Sequence, residues 1–131
     1  MSELAPGADL RPFEIESVSA EAMRTLAALL RDPTPIHFAP EVVKELGLGD
    51  RVINQGPANV GYVMNALLEN APEGELERVQ VRFLGNVFAE DHVVAGGRVS
   101  EAADGRATCE VWLDVEGGER ALEGTAVVRR R

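Results

Sequence analysis

The pattern of apolar and polar positions divides the chain into a helical first half and a strand-rich second half. Phe13, Ile15 and Ser17 alternate with acidic residues, which predicts a short first strand. Ser19 is a candidate N-cap for the helix that follows. The apolar spacing typical of one helix face is found at Met23, Leu26, Ala27 and Leu30.

The next segment is punctuated by proline. Asp32 precedes Pro33, and a residue before proline disfavours helical geometry, so we expect the first helix to end near Arg31. Residues 32–38 then form a loop. A short helix is predicted over 40–46, with Gly47 placed to close it.

Residues 57–70 predict a different kind of helix, because apolar side chains cover nearly every side of it. A helix that is apolar all round is normally buried. Asn54 and Gln55 are candidate caps, and Pro57 suits a first helical turn. We therefore expect a buried central helix.

After Gly74 the apolar period changes to that of a strand. Alternating sets begin at Val79, Val93, Ala107 and Leu122, and they predict four antiparallel strands. The pairs Asp104-Gly105 and Gly117-Gly118 favour tight reversals between them. Trp112 falls on a polar face of this sheet, where it is a candidate dimer or sheet-packing contact.

This order predicts an α+β fold, in which the apolar face of an antiparallel sheet needs a cover. Helix 57–70 is the most apolar candidate for that cover. A sheet wrapped around one long central helix is the hot-dog fold, and a generic α+β sandwich fits the periodicity equally well. We interpret residues 1–131 as a single domain, with 1–10 as a loose lead-in.

Composition narrows the classes of function. The chain has 131 residues, of which 45% are hydrophobic, and a formal net charge of −9, which argues against nucleic-acid or membrane partners that need a basic surface. Cys109 is the single cysteine, so we expect no intrachain disulfide and no thiolate metal cluster. Because the sequence shows one cysteine, no signal peptide and no membrane span, we expect a cytoplasmic protein. We also expect no metal ion.

Asp32 and His37 are the main candidates for chemistry. Two prolines stiffen the loop between them, so it can hold a carboxylate and an imidazole in fixed geometry. Such a pair can perform acid–base work because imidazole titrates near neutral pH. The simpler interpretation is that Asp32 ends its helix and His37 bonds locally. The other histidine, His92, lies in a polar turn and is interpreted as a solvated surface side chain.

Three segments resemble one enzyme family. Residues 32–37, DPTPIH, resemble the Asp-x-Asn-Pro-(Ile/Leu/Val)-His signature of MaoC-like, R-specific enoyl-CoA hydratases. Residues 52–56 resemble the apolar stretch that ends in the glycine opening the family's central helix. Residues 81–91 resemble its Arg-Phe strand-turn pattern. The resemblance covers roughly residues 20–130 in the right order.

The resemblance implies a hot-dog hydratase or dehydratase of fatty-acid metabolism, which interconverts trans-2-enoyl and (R)-3-hydroxyacyl thioesters of coenzyme A or an acyl carrier. Asp32 and His37 match the catalytic pair that activates one water, and Gly56 matches the residue whose backbone N–H binds the thioester oxygen. A helix N-terminus suits that task because its N–H groups are unpaired and its dipole end is positive. Gly56 is otherwise an ordinary helix-start glycine. No cofactor is implied beyond the coenzyme A of the substrate.

Several residues depart from the family pattern. Thr34 replaces the signature asparagine and offers a hydroxyl in place of an amide. Arg31 replaces a small residue, an acidic residue after His37 is missing, and the usual downstream proline is absent near Asn86. These departures leave open a noncatalytic, acyl-binding subunit of a heteromeric dehydratase. A hot-dog thioesterase is a third alternative, although its carboxylate would have to be Glu69, near the far end of the central helix.

Tyr62 and Asn65 are polar side chains on the predicted central helix, and a buried phenol or amide must find a partner. With Thr34 they are candidates to support the site, or they satisfy backbone groups. Candidates for the phosphates of coenzyme A are Lys44, Arg51, Arg82 and Arg98. Because a one-chain hot-dog exposes a sheet edge, we expect a homodimer or higher oligomer, or a heteromeric partner.

Overall fold

The computed structural model describes residues 4–131, and residues 1–3 of the predicted lead-in lie outside that range. The predicted order of helices followed by strands is present. In chain order the elements are β1 Phe13–Ile15, α1 Ala20–Leu30, α2 Pro40–Glu45, α3 Gly56–Asn70, β2 Gly74–Phe83, β3 Val93–Ala103, β4 Arg106–Val115 and β5 Arg120–Arg130. A short 3₁₀ helix, Pro35–His37, lies within the segment that the sequence predicts as a loop.

Helix α1 begins and ends where its sequence predicts. The Ser19 hydroxyl accepts the Ala22 N–H at 3.0 Å, which caps the first turn. Arg31 closes the helix in the left-handed region, with φ 53°. This conformation is uncommon for a residue other than glycine. The next N–H, that of Asp32, donates to the Ala27 carbonyl at 2.9 Å and fixes Asp32 against the last turn.

The five strands form one antiparallel sheet in the order β1-β3-β4-β5-β2. Strands β3, β4 and β5 bury alternate side chains on one face, as their sequence predicts. Helix α3 packs on that face against β1, β2, β3 and β4. A curled sheet around a central helix is the hot-dog fold, so that prediction is confirmed and the generic sandwich is not what forms.

The buried face of α3 differs from its prediction. Val63, Ala66 and Leu67 are buried against the sheet, whereas Met64 is 37% exposed and Leu68 39% exposed. One sheet can cover only one side of a helix. The expectation that α3 is buried on every side is therefore wrong for the single chain.

Residues 4–10 also differ from the predicted loose lead-in. Leu4 and Leu10 are buried in the core. The backbone of this segment bonds to β3, with the Gly7 N–H donating to the Val99 carbonyl at 2.8 Å and the Leu10 N–H to the Gly97 carbonyl at 2.9 Å. The local sequence pattern does not predict these hydrogen bonds because their partners lie on β3, about 90 residues later in the chain.

Candidate active site

Asp32 follows Arg31, the residue that closes α1, and is held by its own turn. Its Oδ1 accepts the Thr34 N–H at 3.0 Å and the Thr34 hydroxyl at 2.6 Å. The hydroxyl bond is the main reason why the pKa of Asp32 lies below its ordinary value, with the backbone bond next. Partial burial opposes this shift, and the charge of a protonated His37 adds to it. Asp32 is therefore a carboxylate at neutral pH.

His37 is buried in the short 3₁₀ helix. Its Nδ1 lies 2.6 Å from the Ile53 carbonyl oxygen. A carbonyl only accepts hydrogen bonds, so Nδ1 carries the proton and Nε2 of the neutral ring is a free acceptor. Nε2 lies 3.6 Å from Asp32 Oδ2, which is too long for a direct hydrogen bond.

One extended segment connects His37 to the start of α3. The Ile53 N–H donates to the Ile36 carbonyl at 2.8 Å, and the Asn54 N–H donates to the Val87 carbonyl at 2.7 Å. Gly56, three residues after Ile53, is the first residue of α3. The turn bearing His37 and the N-terminus of α3 are thus parts of one hydrogen-bonded scaffold.

The ring of Phe83 restricts the size of the residue at position 56. A Cβ at position 56 would lie 3.1 Å from the Phe83 Cζ, so a side chain there would press on this ring. The first N–H groups of a helix have no intrahelical partner. Pro57 has no N–H, and the N–H groups of Ala58 and Asn59 donate to the Gln55 carbonyl at 3.1 and 3.2 Å. Among the described residues of this first turn, the Gly56 N–H is therefore the donor available to a ligand oxygen.

The two polar residues predicted on α3 have different positions. The Tyr62 hydroxyl accepts a hydrogen bond from Asn54 Nδ2 at 3.2 Å, and its ring stacks with Phe13 at 6.4 Å between centroids. Asn65 is exposed on the outward side of α3, so its expected burial is wrong. Within residues 4–131 neither side chain makes a hydrogen bond to Asp32 or His37.

Sequence reasoning missed a set of buried amides around the start of α3. Asn54 donates to Asn59 Oδ1 at 2.8 Å, and Gln55 donates to the Met23 carbonyl at 2.8 Å. The sequence suggested Asn54 and Gln55 only as caps, but Gln55 stands at the cap position without a side-chain capping bond. The signal was two amides inside an otherwise apolar run, because such buried groups need partners.

Gln55 joins the start of α3 to the helix that precedes Asp32. Its side chain is 1% exposed, and its Oε1 is buried without a partner among the described residues. An unpaired buried oxygen is costly, and a trapped water would satisfy it.

The remaining titratable candidates contribute less. His92 is not simply solvated, because its Nε2 lies 2.6 Å from Glu14 Oε1. Burial raises the pKa of the Cys109 thiol to about 11, so it is no nucleophile at neutral pH. Glu69 is exposed near the far end of α3. Residues 4–131 contain no group of three or more His, Cys, Asp or Glu side chains placed to hold a metal ion.

Three of the four basic residues suggested for phosphate binding have carboxylate partners. Arg51 lies 3.1 Å from Asp91, Arg82 lies 3.0 Å from Glu123, and Arg98 lies 3.6 Å from Asp9. Trp112 is half-buried on the outer face of the sheet, with the Arg120 guanidinium 4.9 Å from its ring centroid. In the part of the chain that the structure describes, no helix is both long enough and apolar enough to cross a membrane.

Comparison with known proteins assigns the family. Residues 3–118 match the sequence profile described as a MaoC like domain. The chain belongs to the MaoC-like dehydratase family. No significant match was found among curated proteins.

Solved structures with low sequence identity share the MaoC-like fold. The (R)-hydratase from A. caviae involved in PHA biosynthesis superposes with a TM-score of 0.89 at 23% identity, over 100% of both chains. A chain of the ChsH1-ChsH2 complex from Mycobacterium tuberculosis gives 0.85 at 19% identity, over 97% of this chain and 98% of that one. The HadBC (3R-hydroxyacyl-ACP dehydratase) complex of the same organism gives 0.76 at 17%, over 94% and 96%.

Proposed function

We propose that this MaoC-like protein is a hydratase or dehydratase that interconverts trans-2-enoyl and (R)-3-hydroxyacyl thioesters. The observation that carries the proposal is the geometry of Asp32 and His37. Asp32 Oδ2 and His37 Nε2 lie 3.6 Å apart, and each side chain is held by its own hydrogen bonds.

Two acceptors at this separation suit one bridging water. The water donates one O–H to Asp32 Oδ2 and the other to His37 Nε2, which leaves its lone pairs free to attack. In hydration the water oxygen bonds to C3, the pair takes one of its protons, and a proton is returned to C2. The reverse sequence removes water from the 3-hydroxyacyl thioester.

Gly56 supplies the electrostatic part of the proposal. As the C3–O bond forms, negative charge develops on the thioester oxygen in an enolate-like state. The N–H at the start of α3 and the positive end of the helix dipole stabilise that charge. Proline follows at position 57 and has no N–H, so Gly56 is the first donor available in this turn.

Thr34 supports a catalytic protein over a noncatalytic subunit. Its hydroxyl donates to Asp32 at 2.6 Å, which orients the carboxylate without the family's asparagine. A thioesterase is less well supported, since the exposed Glu69 is the carboxylate on α3. We expect a protein that acts in the cytoplasm and needs no cofactor beyond the coenzyme A of its substrate.

An oligomer is part of the proposal. Among the strands of residues 4–131, β2 pairs with β5 alone, which leaves its ten-residue outer edge open. Phe83 on this strand is 54% exposed, and Met64 and Leu68 are exposed on α3. An open edge that carries an exposed aromatic side chain favours pairing with a second chain. Light scattering at micromolar concentration should find a dimer or larger species, and a strict monomer would contradict this part.

A panel of trans-2-enoyl thioesters tests the function. We expect the purified protein to remove the absorbance of the conjugated enoyl group while a thiol reagent detects no free coenzyme A. Release of thiol would establish a thioesterase instead. Absence of both signals, with thioester binding intact, would establish a noncatalytic subunit.

A further inference from the structure

A buried amide side chain lies at each end of α3, and the two are bonded differently. At the last residue of the helix, Asn70 Oδ1 accepts the Arg11 N–H at 2.9 Å, and Nδ2 donates to the Arg11 and Ala66 carbonyls at 2.9 and 2.7 Å. Just before the first residue, Gln55 Nε2 donates to the Met23 carbonyl at 2.8 Å. Asn70 is thus bonded through both side-chain atoms, whereas Gln55 Oε1 is buried without a partner in the range 4–131.

Stability alone does not explain a glutamine at position 55. An unpaired buried oxygen costs as much free energy as one neutral hydrogen bond contributes, or more. An apolar side chain of similar length would fill the same volume without that cost. Because the Gln55 side chain is 1% exposed, it does not contact a ligand directly. What the amide provides is a fixed link between the start of α3 and α1.

This link joins the two sides of the proposed site. Met23 lies in α1, and the last turn of that helix holds Asp32, whose N–H donates to the Ala27 carbonyl at 2.9 Å. Gln55 directly precedes Gly56, the proposed donor to the thioester oxygen. The bond from Gln55 to Met23 therefore connects the helix that holds the carboxylate to the peptide group that contains the Gly56 N–H.

Gln55 also sets the direction of the Gly56 N–H. In a trans peptide group the N–H and the C=O point in opposite directions. The Gln55 carbonyl accepts the N–H groups of Ala58 and Asn59 at 3.1 and 3.2 Å, so it points into α3. The Gly56 N–H of the same peptide group therefore points outward from the start of the helix. A rotation of this peptide group would turn the donor away from a bound oxygen.

We propose that Gln55 is a positioning residue, whose bond to Met23 holds the 55–56 peptide group in a fixed position relative to Asp32. The inference rests on the proposed function, because it takes the Gly56 N–H to stabilise the developing charge on the thioester oxygen. Gln55 acts through Gly56 and does not touch the substrate. Since that charge develops as the transition state forms, loss of the link should lower kcat more than it raises KM.

Kinetics with Gln55→Met and Asn70→Leu test the position of the amide. Methionine keeps the length of the side chain and removes the donor, so Gln55→Met should lower kcat for crotonyl-CoA about fivefold and change KM by less than about twofold. Asn70→Leu removes the amide at the other end of α3, and its kcat should stay within about twofold of the wild type. Thermal melting establishes that each variant is folded at the assay temperature. An unchanged kcat in Gln55→Met, or an equal fall in both variants, would overturn the inference.

Gln55→Glu separates positioning from packing through its dependence on pH. A protonated glutamic acid can donate to the Met23 carbonyl as the amide does, whereas the ionised form only accepts. Burial disfavours the ionised form and so raises the pKa of the introduced carboxyl. At low pH the kcat of Gln55→Glu should equal that of the wild type at the same pH, and it should fall toward that of Gln55→Met as pH rises through the raised pKa. A kcat that stays as low as that of Gln55→Met at every pH, in folded protein, would overturn the inference.

The wild-type assay distinguishes failure of this inference from failure of the proposed function. Wild-type hydration with a kcat that Gln55→Met leaves unchanged would reject the positioning role and keep the hydratase. Absence of hydration by the wild type would reject the hydratase and, with it, the role of Gln55.

Discussion

Two regions of the molecule pair a histidine with a carboxylate, and they differ in almost every other respect. At the start of β3, His92 lies 2.6 Å from Glu14, and the two side chains are 35% and 50% exposed. In the turn after α1, His37 lies 3.6 Å from Asp32, and the side chains are 11% and 30% exposed. The closer pair is the less suited to catalysis, since its two atoms are within direct hydrogen-bond distance of each other, whereas the atoms of the other pair are too far apart to bond directly and can share a water that lies beside them.

The hydrogen bonds around each pair explain the difference. His37 has its second nitrogen fixed on a backbone carbonyl, and Asp32 has its second oxygen fixed by Thr34. Among residues 4–131, the second nitrogen of His92 has no hydrogen-bond partner. The candidate active site differs from the exposed pair because other contacts hold both of its side chains in place. A short distance between two side chains does not by itself fix their positions.

The largest difference is expected between variants of the two histidines. His37→Gln should lower kcat for crotonyl-CoA hydration by about 10²–10⁴-fold, because one acid–base partner of the water is lost. His92→Gln removes the same imidazole from the exposed pair and should stay within about twofold of the wild type. Stopped-flow absorbance of the enoyl group measures both. Comparable losses in the two variants would remove the distinction between the regions.

A smaller effect is expected from Thr34. Thr34→Val removes the hydroxyl that donates to Asp32, and kcat/KM should fall about tenfold. Because that hydroxyl is the main cause of the lowered pKa of Asp32, the variant should have a higher pKa and an acidic limb of kcat/KM shifted to higher pH. Thr34→Ser keeps the donor and should keep the wild-type profile. An unchanged limb in Thr34→Val would show that Asp32 does not control it.

The same substitution has a consequence for stability. The pKa of Asp32 is lowered in the folded protein, so its ionised form adds stability above the ordinary carboxylate pKa, and this is lost as pH falls through the folded value. In Thr34→Val this contribution should be smaller at neutral pH and lost at higher pH. Denaturant unfolding across that pH range measures it.

The smallest effect concerns Gln55, which joins the start of α3 to the helix that precedes Asp32. Gln55→Ala should lower the free energy of unfolding by about 1–3 kcal/mol, because a buried hydrogen bond and buried volume are lost. Glu14→Gln, in the exposed pair, should change it by about 0.5 kcal/mol or less. Urea unfolding compares the two. A larger loss in Glu14→Gln would mean that the exposed pair is the more important support.

The sequence predicted the features that depend on neighbouring residues better than those that depend on distant residues. The ends of α1, the closing Gly47, the tight reversals and the alternating strands follow from local patterns, and the structure has them at or near the expected residues. The DPTPIH motif selected Asp32 and His37 over His92 before any distance was known. Local patterns were sufficient for the helix ends, the turns and the strands because each depends on residues close together in the chain. The choice of Asp32 and His37 came from the resemblance of their motif to the family signature, and it stays a prediction.

Features that depend on distant residues were missed. Gln55 is notable only because the Met23 carbonyl lies beside it in the folded protein. The outward face of α3 resembled a buried face because composition does not say how many sides one sheet can cover. Asn65 was placed in the core for the same reason.

The central claim is that Asp32 and His37 act together on one water, and the double variant tests it most directly. We would measure kcat/KM for crotonyl-CoA in Asp32→Asn, His37→Gln and the combined variant. If the residues act as a unit, the double variant should be no more than about tenfold worse than the poorer single variant. Losses that multiply across the two substitutions would contradict the account, since the residues would then act independently.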